Sequence, residues 1–535
     1  MTRPLGERLG RRAGRRSPAP AFLLVVGIMC SFALVGLSLG AVRSAATRAS
    51  AEPRAAPAGK EAHGERLSRS AGVSPCRPFR RRFHTHPRWR PAAFCVTKHA
   101  TATAPGLLFV TPRSRPRYSE QHGIMILNDD GKLVWYLRRP WVGRDLKVVR
   151  YRGRPMLAFF QAVSPQSVRQ PYYALVNDRY RIVRRIRAGH GYRINTHDLQ
   201  LTPRGTAYIS AYHHVWYAQL ATRVTEYVIQ ELDLATGRVL FEWHSLDHVP
   251  PVASYLARPS DGTPWDYFHG NSIDISARPT LLVSARNTSA VYAVSRRTGR
   301  ILWTLGGKQD EFGIVRRHPR WQFCGQHDAR WLPNGDLSLF DDGGRALWAG
   351  RACPVHLSRV EQFRLDARAR TARLVRTISS RPSSESGRGF SVWAEGSARR
   401  LPNGSMLVDW GTASRITEVA RDGGVRFGLR LARYSYRAVR APWVGRPASR
   451  PRLATSCTAS RLRLWVSWNG ATRVRAWRVL AGRSRLSLVP ERVVSFRGLE
   501  TSITFRTRPD YVRAVALGSA RRVLGRSRIA ATRCA

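Results

Sequence analysis

From about Gly106 to Leu429 the chain alternates two kinds of β-hairpin, and no other feature of the sequence limits its fold as much. One kind is a strand, a turn built on Asp or Asn with Gly, and a second strand that often ends in an aromatic residue. Its clearest copies are Ile124–Trp135, Glu231–Phe241 and Val291–Trp303, with weaker copies at Tyr173–Ile186, Val360–Ile378 and Ile416–Leu429. The companion hairpins run His197–Ser210, Asn271–Ser284, His327–Phe340 and Gly396–Asp409, with a fainter one at Leu146–Phe160. Most of them turn on Pro-x-Gly, where Gly supplies the left-handed backbone that a tight turn needs. Two hairpins make a unit of four strands and about sixty residues, and six such units predict an all-β, six-bladed β-propeller over residues 106–445. A sandwich does not account for the alternation of two hairpin types, and no helical period of useful length follows residue 42.

The ends of the chain differ from this repeat. Residues 1–20 are a basic tail, and Ala21–Val42 is an uncharged apolar run long enough to cross a bilayer as a helix. This run predicts a single-pass transmembrane anchor at the cell membrane, or else a long cleaved signal, with the bulk of the chain extracellular. Residues 43–75, rich in Ala, Arg, Ser, Gly and Pro, read as a flexible stalk, and 76–105 as a Cys-bridged N-terminal segment. Prolines at 442, 447 and 451 mark a linker. Beyond it Leu464–Trp468, Arg475–Leu480, Ser502–Phe505 and Tyr511–Ala516 alternate as short strands, predicting a fibronectin-III-like β-sandwich over 453–535. Outside the apolar run the six cysteines suit an oxidising compartment. Proximity pairs Cys76 with Cys95, Cys324 with Cys353 and Cys457 with Cys534, among fifteen possible connectivities.

Ninety Lys and Arg against 34 Asp and Glu give a formal net charge of +56. The charge is scattered along the chain and forms no single stripe, so it reads as a solvated surface. It permits weak binding to anionic envelope polymers and points to no specific nucleic-acid partner.

His197 and His327 stand at the same offset, eight residues before Gly205 and Gly335, and each is followed by Asp. His269 lies two residues further upstream in its own hairpin, and Arg286 ends the strand that follows it. If these hairpins carry the innermost strands, three imidazoles and a guanidinium from separate blades converge at the channel mouth. Such a cluster suits an anion with oxygens in several directions, because Arg forks onto two oxygens while His donates, attacks or protonates. Three histidines could also hold zinc or copper, but the cluster is cationic and lacks an evident carboxylate ligand, so no metal and no cofactor is expected. Phosphate sites usually add Gly-rich nests or metal carboxylates, which favours a sulfate ester. Strand alternation turns Asp198 and Asp328 away from their histidines. His213, His214, Trp216 and Tyr217, further along the first histidine hairpin, are candidates to line an aromatic substrate pocket.

The strings Asn195-Thr-His-Asp198, Phe268-His-Gly-Asn-Ser-Ile273, Ser284-Ala-Arg286, Leu305-Gly-Gly307 and Gln326-His-Asp-Ala-Arg-Trp-Leu-Pro-Asn-Gly335 resemble those of arylsulfotransferases of the arylsulfate sulfotransferase type. The resemblance covers about residues 106–530. It implies a six-bladed propeller enzyme that moves a sulfuryl group from an aryl sulfate to a phenol without a nucleotide donor. It further implies His327 as the nucleophile of a transient sulfohistidine, with His197, His269 and Arg286 holding the sulfuryl oxygens and assisting the phenols. The competing expectations are a non-enzymatic envelope propeller that binds anionic polymer or a protein partner, and a quinoprotein-like dehydrogenase.

Overall fold

The computed structural model describes residues 73–532 apart from 80, 114–120, 165–166, 168–169, 276–278, 316–322, 344–355 and 459. The apolar run at 21–42 and the stalk lie outside the described residues, and no helix among the described residues is long and apolar enough to cross a membrane. What is described is all-β, with only single-turn 3-10 helices between strands.

Alternating apolar residues make each hairpin a half-buried ribbon that must cover both faces, and stacking neighbouring sheets face to face does so. Six antiparallel sheets result, each built outward from an inner strand. The second sheet runs Gly143–Tyr151, Arg154–Gln161, Tyr172–Val176 and Ile182–Ile186. The third runs Arg193–Leu201, Thr206–Tyr217, Thr222–Asp233 and Val239–His244, and the fourth Gly270–Asp274, Thr280–Ala285, Ala290–Ser295 and Ile301–Gly306. In the fifth, His327–Trp331, Leu337–Asp341, Arg359–Asp366 and Thr371–Ser379 gain a short parallel strand, Gly313–Val315, at the outer edge. The sixth holds Ser397–Arg400, Met406–Asp409, Arg415–Val419 and Val425–Leu431.

The first sheet joins the two ends of the repeat. Its inner strand is Ser435–Ala441, from the far end of the chain, paired with Leu107–Pro112 and followed by Gly123–Leu127 and Leu133–Arg138. Each inner strand neighbours the next, and that of the sixth sheet returns to that of the first, so the six close a propeller-like ring. Six apolar clusters fill the six spaces between successive sheets. One example sets Tyr227, Ile229 and Trp243 of the third sheet against Leu281, Val283 and Tyr292 of the fourth. Ser435–Ala441, from the far end of the repeat, covers the edge that Leu107–Pro112 would otherwise present and so closes the ring.

Phe94–Lys98 adds a fifth, outermost strand to the sixth sheet, and the Cys76–Cys95 disulfide ties the preceding segment to it, as the sequence spacing predicts. Cys324 and Cys457 are also disulfide-bonded, whereas their expected partners Cys353 and Cys534 lie outside the described residues. After residue 441 two small sheets, Arg452–Cys457 with Leu462–Ser467 and Glu500–Phe505, and Val489–Ser495 with Ala476–Gly482, Tyr511–Leu517 and Val523–Arg526, enclose one core around Trp477 and Val479. They dock on the first two sheets through paired amide bonds between Asn469 and Tyr136, each 2.9 Å, and a 2.8 Å bond from the Tyr180 hydroxyl to the Gly470 carbonyl.

Candidate active site

The starts of the inner strands are irregular in a consistent way. Asp145, His269, Asp328 and Glu395 all have left-handed backbones, with φ of 53°, 52°, 55° and 67°. The pairing register slips at Arg144/Lys147, at Gly270/Ser272 and at His327/Arg330. A left-handed non-glycine residue costs on the order of 1–3 kcal/mol. A bulge, in return, re-aims side chains that simple alternation would send to opposite faces. The irregular positions gather at one end of the ring.

There the three predicted histidines and Arg286 meet. His197 and His269 lie with ring centroids 5.0 Å apart and nearly perpendicular, and the Tyr212 hydroxyl sits 3.5 Å from Nδ1 of the first and 3.4 Å from Nδ1 of the second. His269 Nδ1 also bonds the Asp266 carboxylate. The Arg286 peptide N–H donates to the His269 carbonyl at 3.0 Å, which fixes the two across the strand entrance. The guanidinium donates to Asn287 Oδ1 at 2.8 Å and to the Trp393 carbonyl at 3.1 Å. Its Nε is buried with no hydrogen-bond partner among the described residues. A buried N–H of a cation without an acceptor is costly, and a bound oxyanion would satisfy it.

His327 is almost wholly buried and shares Nδ1 with Asp342 Oδ1 at 3.0 Å. Burial, reinforced by the Arg286 charge and then His269, holds the His327 imidazole well below its ordinary range, so it is neutral at pH 7. Burial likewise holds His197 down, with His269, Arg144 and His327 adding to the effect. Asp342 is pushed well above the usual carboxylate range by burial, against the pull of Arg286. The pair His327–Asp342 is therefore no ion pair but a neutral imidazole held by a hydrogen bond. Asp342 Oδ2 is buried without a hydrogen-bond partner among the described residues.

Below the imidazoles the ring axis is filled by charge. Lys147 bonds Asp145 and Asp198 at 2.7 and 2.8 Å, Arg330 bonds Asp198 and Asp328 at 2.5 and 2.8 Å, and Arg399 reaches Asp328 at 2.7 Å. Arg437, from the closing inner strand, donates to the His197 carbonyl at 2.6 Å and the Asn271 carbonyl at 2.8 Å, and lies 3.1 Å from Asp145. Asp198 and Asp328 thus serve this buried lattice and not the imidazoles that precede them, as expected of their opposite direction. Removing one partner from such a lattice leaves an uncompensated charge, so the floor of the site is held stiffly.

The aromatic residues expected beside the substrate are placed differently. His213 bonds Glu226 at 3.2 Å, His214 faces the Thr225 hydroxyl at 3.0 Å, and Trp216 is 65% exposed. Tyr217 packs on the apolar cluster between the third and fourth sheets. Among the described residues no contact joins these four to His197 or His269. The phenol that does touch the imidazoles is Tyr212, which the sequence reading missed, as it missed Asp342, Tyr436 and the Arg144–Glu395 pair at 3.4 Å. Asp342 could have been found by folding the hairpin on itself, since His327 pairs with Phe340 and Asp342 lies two residues beyond.

The all-β ring thus gathers His197, His269, His327 and Arg286 at one end of its axis, with His197 and His327 buried and held below the ordinary histidine range. Residues 176–432 match the model of the arylsulfotransferase (ASST) family, and that stretch of chain belongs to the family. All four predicted catalytic positions fall inside it. No curated protein matches the chain. Among solved structures the chain is similar to a protein of unknown function from Bacteroides caccae, at 14% identity over 63% of this chain and 98% of that one, with a TM-score of 0.39. It is also similar to the hydrazine synthase of Kuenenia stuttgartiensis, at 11% identity over 56% and 71%, with a TM-score of 0.33. A streptogramin B lyase matches at 8% identity over 63% and 98%, with a TM-score of 0.26. None of these likenesses bears on the chemistry.

Proposed function

We propose that the chain transfers a sulfuryl group from an aryl sulfate to a phenolic acceptor, with no nucleotide donor, through a sulfohistidine on His327. The observation that carries this reading is the buried, neutral His327 held by Asp342 beside the unsatisfied Nε of Arg286. Nδ1–H of His327 donates to Asp342 Oδ1, which leaves the lone pair on Nε2. Nε2 attacks sulfur, the N–S bond forms as the S–O bond to the aryl group breaks, and the phenolate leaves with a proton from the His197–Tyr212–His269 group. The acceptor phenol then gives a proton to the same group and attacks sulfur, and the N–S bond breaks to restore the imidazole. One difficult displacement becomes two easier ones. Arg286 supports the charge on the sulfuryl oxygens in both.

The family match supports an enzyme of this class. The ring of six sheets and six apolar interfaces supports a six-bladed propeller over 106–445, and the two facing sheets with a single core support a fibronectin-III-like sandwich over 453–535. The apolar run at 21–42 supports a membrane anchor that leaves these domains outside the cell.

The test is turnover of a chromogenic aryl sulfate by the purified ectodomain, with and without a phenol. Ping-pong kinetics are expected, with loss of roughly 10³-fold or more in kcat for His327→Ala. Turnover that needs an added nucleotide sulfate donor, or that survives in His327→Ala, would refute the proposal.

A further inference from the structure

Glu395, at the head of the sixth sheet's inner strand, stands beside the histidines without a task in the transfer. Gly396, directly after it, is left-handed at φ 110° and lies so close to the Phe340 ring that a Cβ there would come within 2.5 Å of it. Phe340 pairs with His327 across the fifth sheet, so the carboxylate is carried on a strand packed against the nucleophile's own hairpin. Burial, Arg286 and His269 hold the His327 imidazole down, and the Glu395 charge opposes them. Glu395 is 9% exposed, and its Oε1 lies 3.4 Å from Arg144 Nη1. Arg144 in turn sits over the Tyr436 ring, 5.6 Å from its centre, and that ring is 5.7 Å from the His197 ring. The second carboxylate oxygen, Oε2, is buried with no hydrogen-bond partner among the described residues. A desolvated carboxylate oxygen without a donor is costly, and an O–H or N–H from a ligand would satisfy it.

The surroundings say what kind of donor fits. Arg144 already balances the carboxylate, so a neutral donor suits Oε2 better than a cation, and an anion is repelled. A sulfuryl group therefore keeps to Arg286 and the imidazoles, and an uncharged hydroxyl turns to Glu395. Trp393, two residues before Glu395, is 53% exposed, and its carbonyl accepts from Arg286 Nη2 at 3.1 Å. Its indole stands edge-on to Tyr434, with ring centres 6.5 Å apart. Burial and then Glu395 push the Tyr434 hydroxyl above the ordinary phenol range, which sets this ring near the same carboxylate. An exposed indole tied by its own backbone to the Arg286 guanidinium offers a face on which an aromatic ring can stack.

We propose that Glu395 selects the acceptor: Oε2 receives a hydrogen bond from a second hydroxyl on the acceptor's ring, which lies against Trp393 and Tyr434. The chain then prefers dihydric phenols to monohydric ones. This rests on the sulfuryl-transfer reading for its purpose, though the binding itself does not. A site built around a buried acceptor rejects an analogue that lacks the matching donor, because the carboxylate oxygen is then left unpaired.

The test compares catechol, resorcinol and hydroquinone as acceptors with their monomethyl ethers, which keep one reacting hydroxyl and lose the second donor. For at least one of the three pairs the wild type should show a KM about tenfold or more lower for the dihydric phenol than for its ether, with kcat little changed. Glu395→Gln presents an N–H₂ that an ether oxygen satisfies as well as a hydroxyl does, so the ratio should fall to about one. Glu395→Asp, which keeps the carboxylate, should retain part of it, and equal melting temperatures show that the fold is intact. Calorimetric binding of the same pairs to His327→Ala should give the same ratio, lost again when Glu395→Gln is added. Ratios near one for all three pairs in the wild type, or a ratio untouched by Glu395→Gln, would overturn the proposal. If no acceptor is sulfated while binding that depends on Glu395 persists, the transfer reading fails and the acceptor site stands.

Discussion

Asp342 decides how His327 can react. In the proposed mechanism Asp342 Oδ1 accepts from Nδ1, 3.0 Å away, and the lone pair stays on Nε2; an amide in its place can present its N–H₂ instead and favour the opposite tautomer. Asp342→Asn should lower kcat by roughly 10²-fold or more with KM little changed, by the logic that governs histidine orientation in hydrolytic triads. An unchanged kcat would show that the carboxyl plays no part in orientation. The pH profile gives a second check. His327 must be neutral to attack, and its folded pKa is depressed by burial and by Arg286. Protonation then waits until pH has fallen well below 6.5, the ordinary histidine value, so the acid limb of kcat/KM should lie below that pH. A limb above it would contradict the buried, neutral imidazole. At this scale much was legible in the sequence, because His197 and His327 share an offset from a turn and His269 and Arg286 flank a strand pair. Tyr212 and Asp342 were not, since their roles arise only when the hairpin folds back and a bulge turns the strand.

At the scale of elements, the hairpin alternation predicted every inner and outer pair from the second sheet to the sixth, because Asp/Asn-Gly and Pro-x-Gly turns fix where strands reverse. The first sheet was legible only in part. Its inner strand, Ser435–Ala441, lies over three hundred residues from its partner Leu107–Pro112, and no local pattern announces so distant a pairing. The fifth strand of the sixth sheet, Phe94–Lys98, was likewise hidden inside a segment marked only by its cysteines. That strand is held at Cys95, and the disulfide closes a loop of 19 residues. Replacing Cys76 and Cys95 by Ser should destabilise the ectodomain by about 3 kcal/mol, read as a lower melting temperature. No shift would mean that pairing with Val425–Leu431 alone secures the segment.

The whole molecule divides its work between apolar walls and a charged axis. Six clusters between the sheets hold the ring closed, while Asp145, Asp198 and Asp328 bind Lys147, Arg330, Arg399 and Arg437 along its centre. The lattice ties inner strands from the first, second, third, fifth and sixth sheets together, so the imidazoles above it rest on a common floor. The proposed nucleophile, His327, would need this stiffness, because the site residues come from three different sheets and a displacement of one strand would part them. The excess of arginine predicted from composition is therefore not all surface: Arg437 is 1% exposed and Arg330 5%. The central claim, that His327 carries the transferred group, is tested most directly by mixing the ectodomain with an aryl sulfate in the absence of any phenol, quenching, and mapping the modified peptide by mass spectrometry. One sulfuryl group on His327, discharged when a phenol is added, is the predicted result; an unmodified His327 in protein that has released its phenol would contradict it.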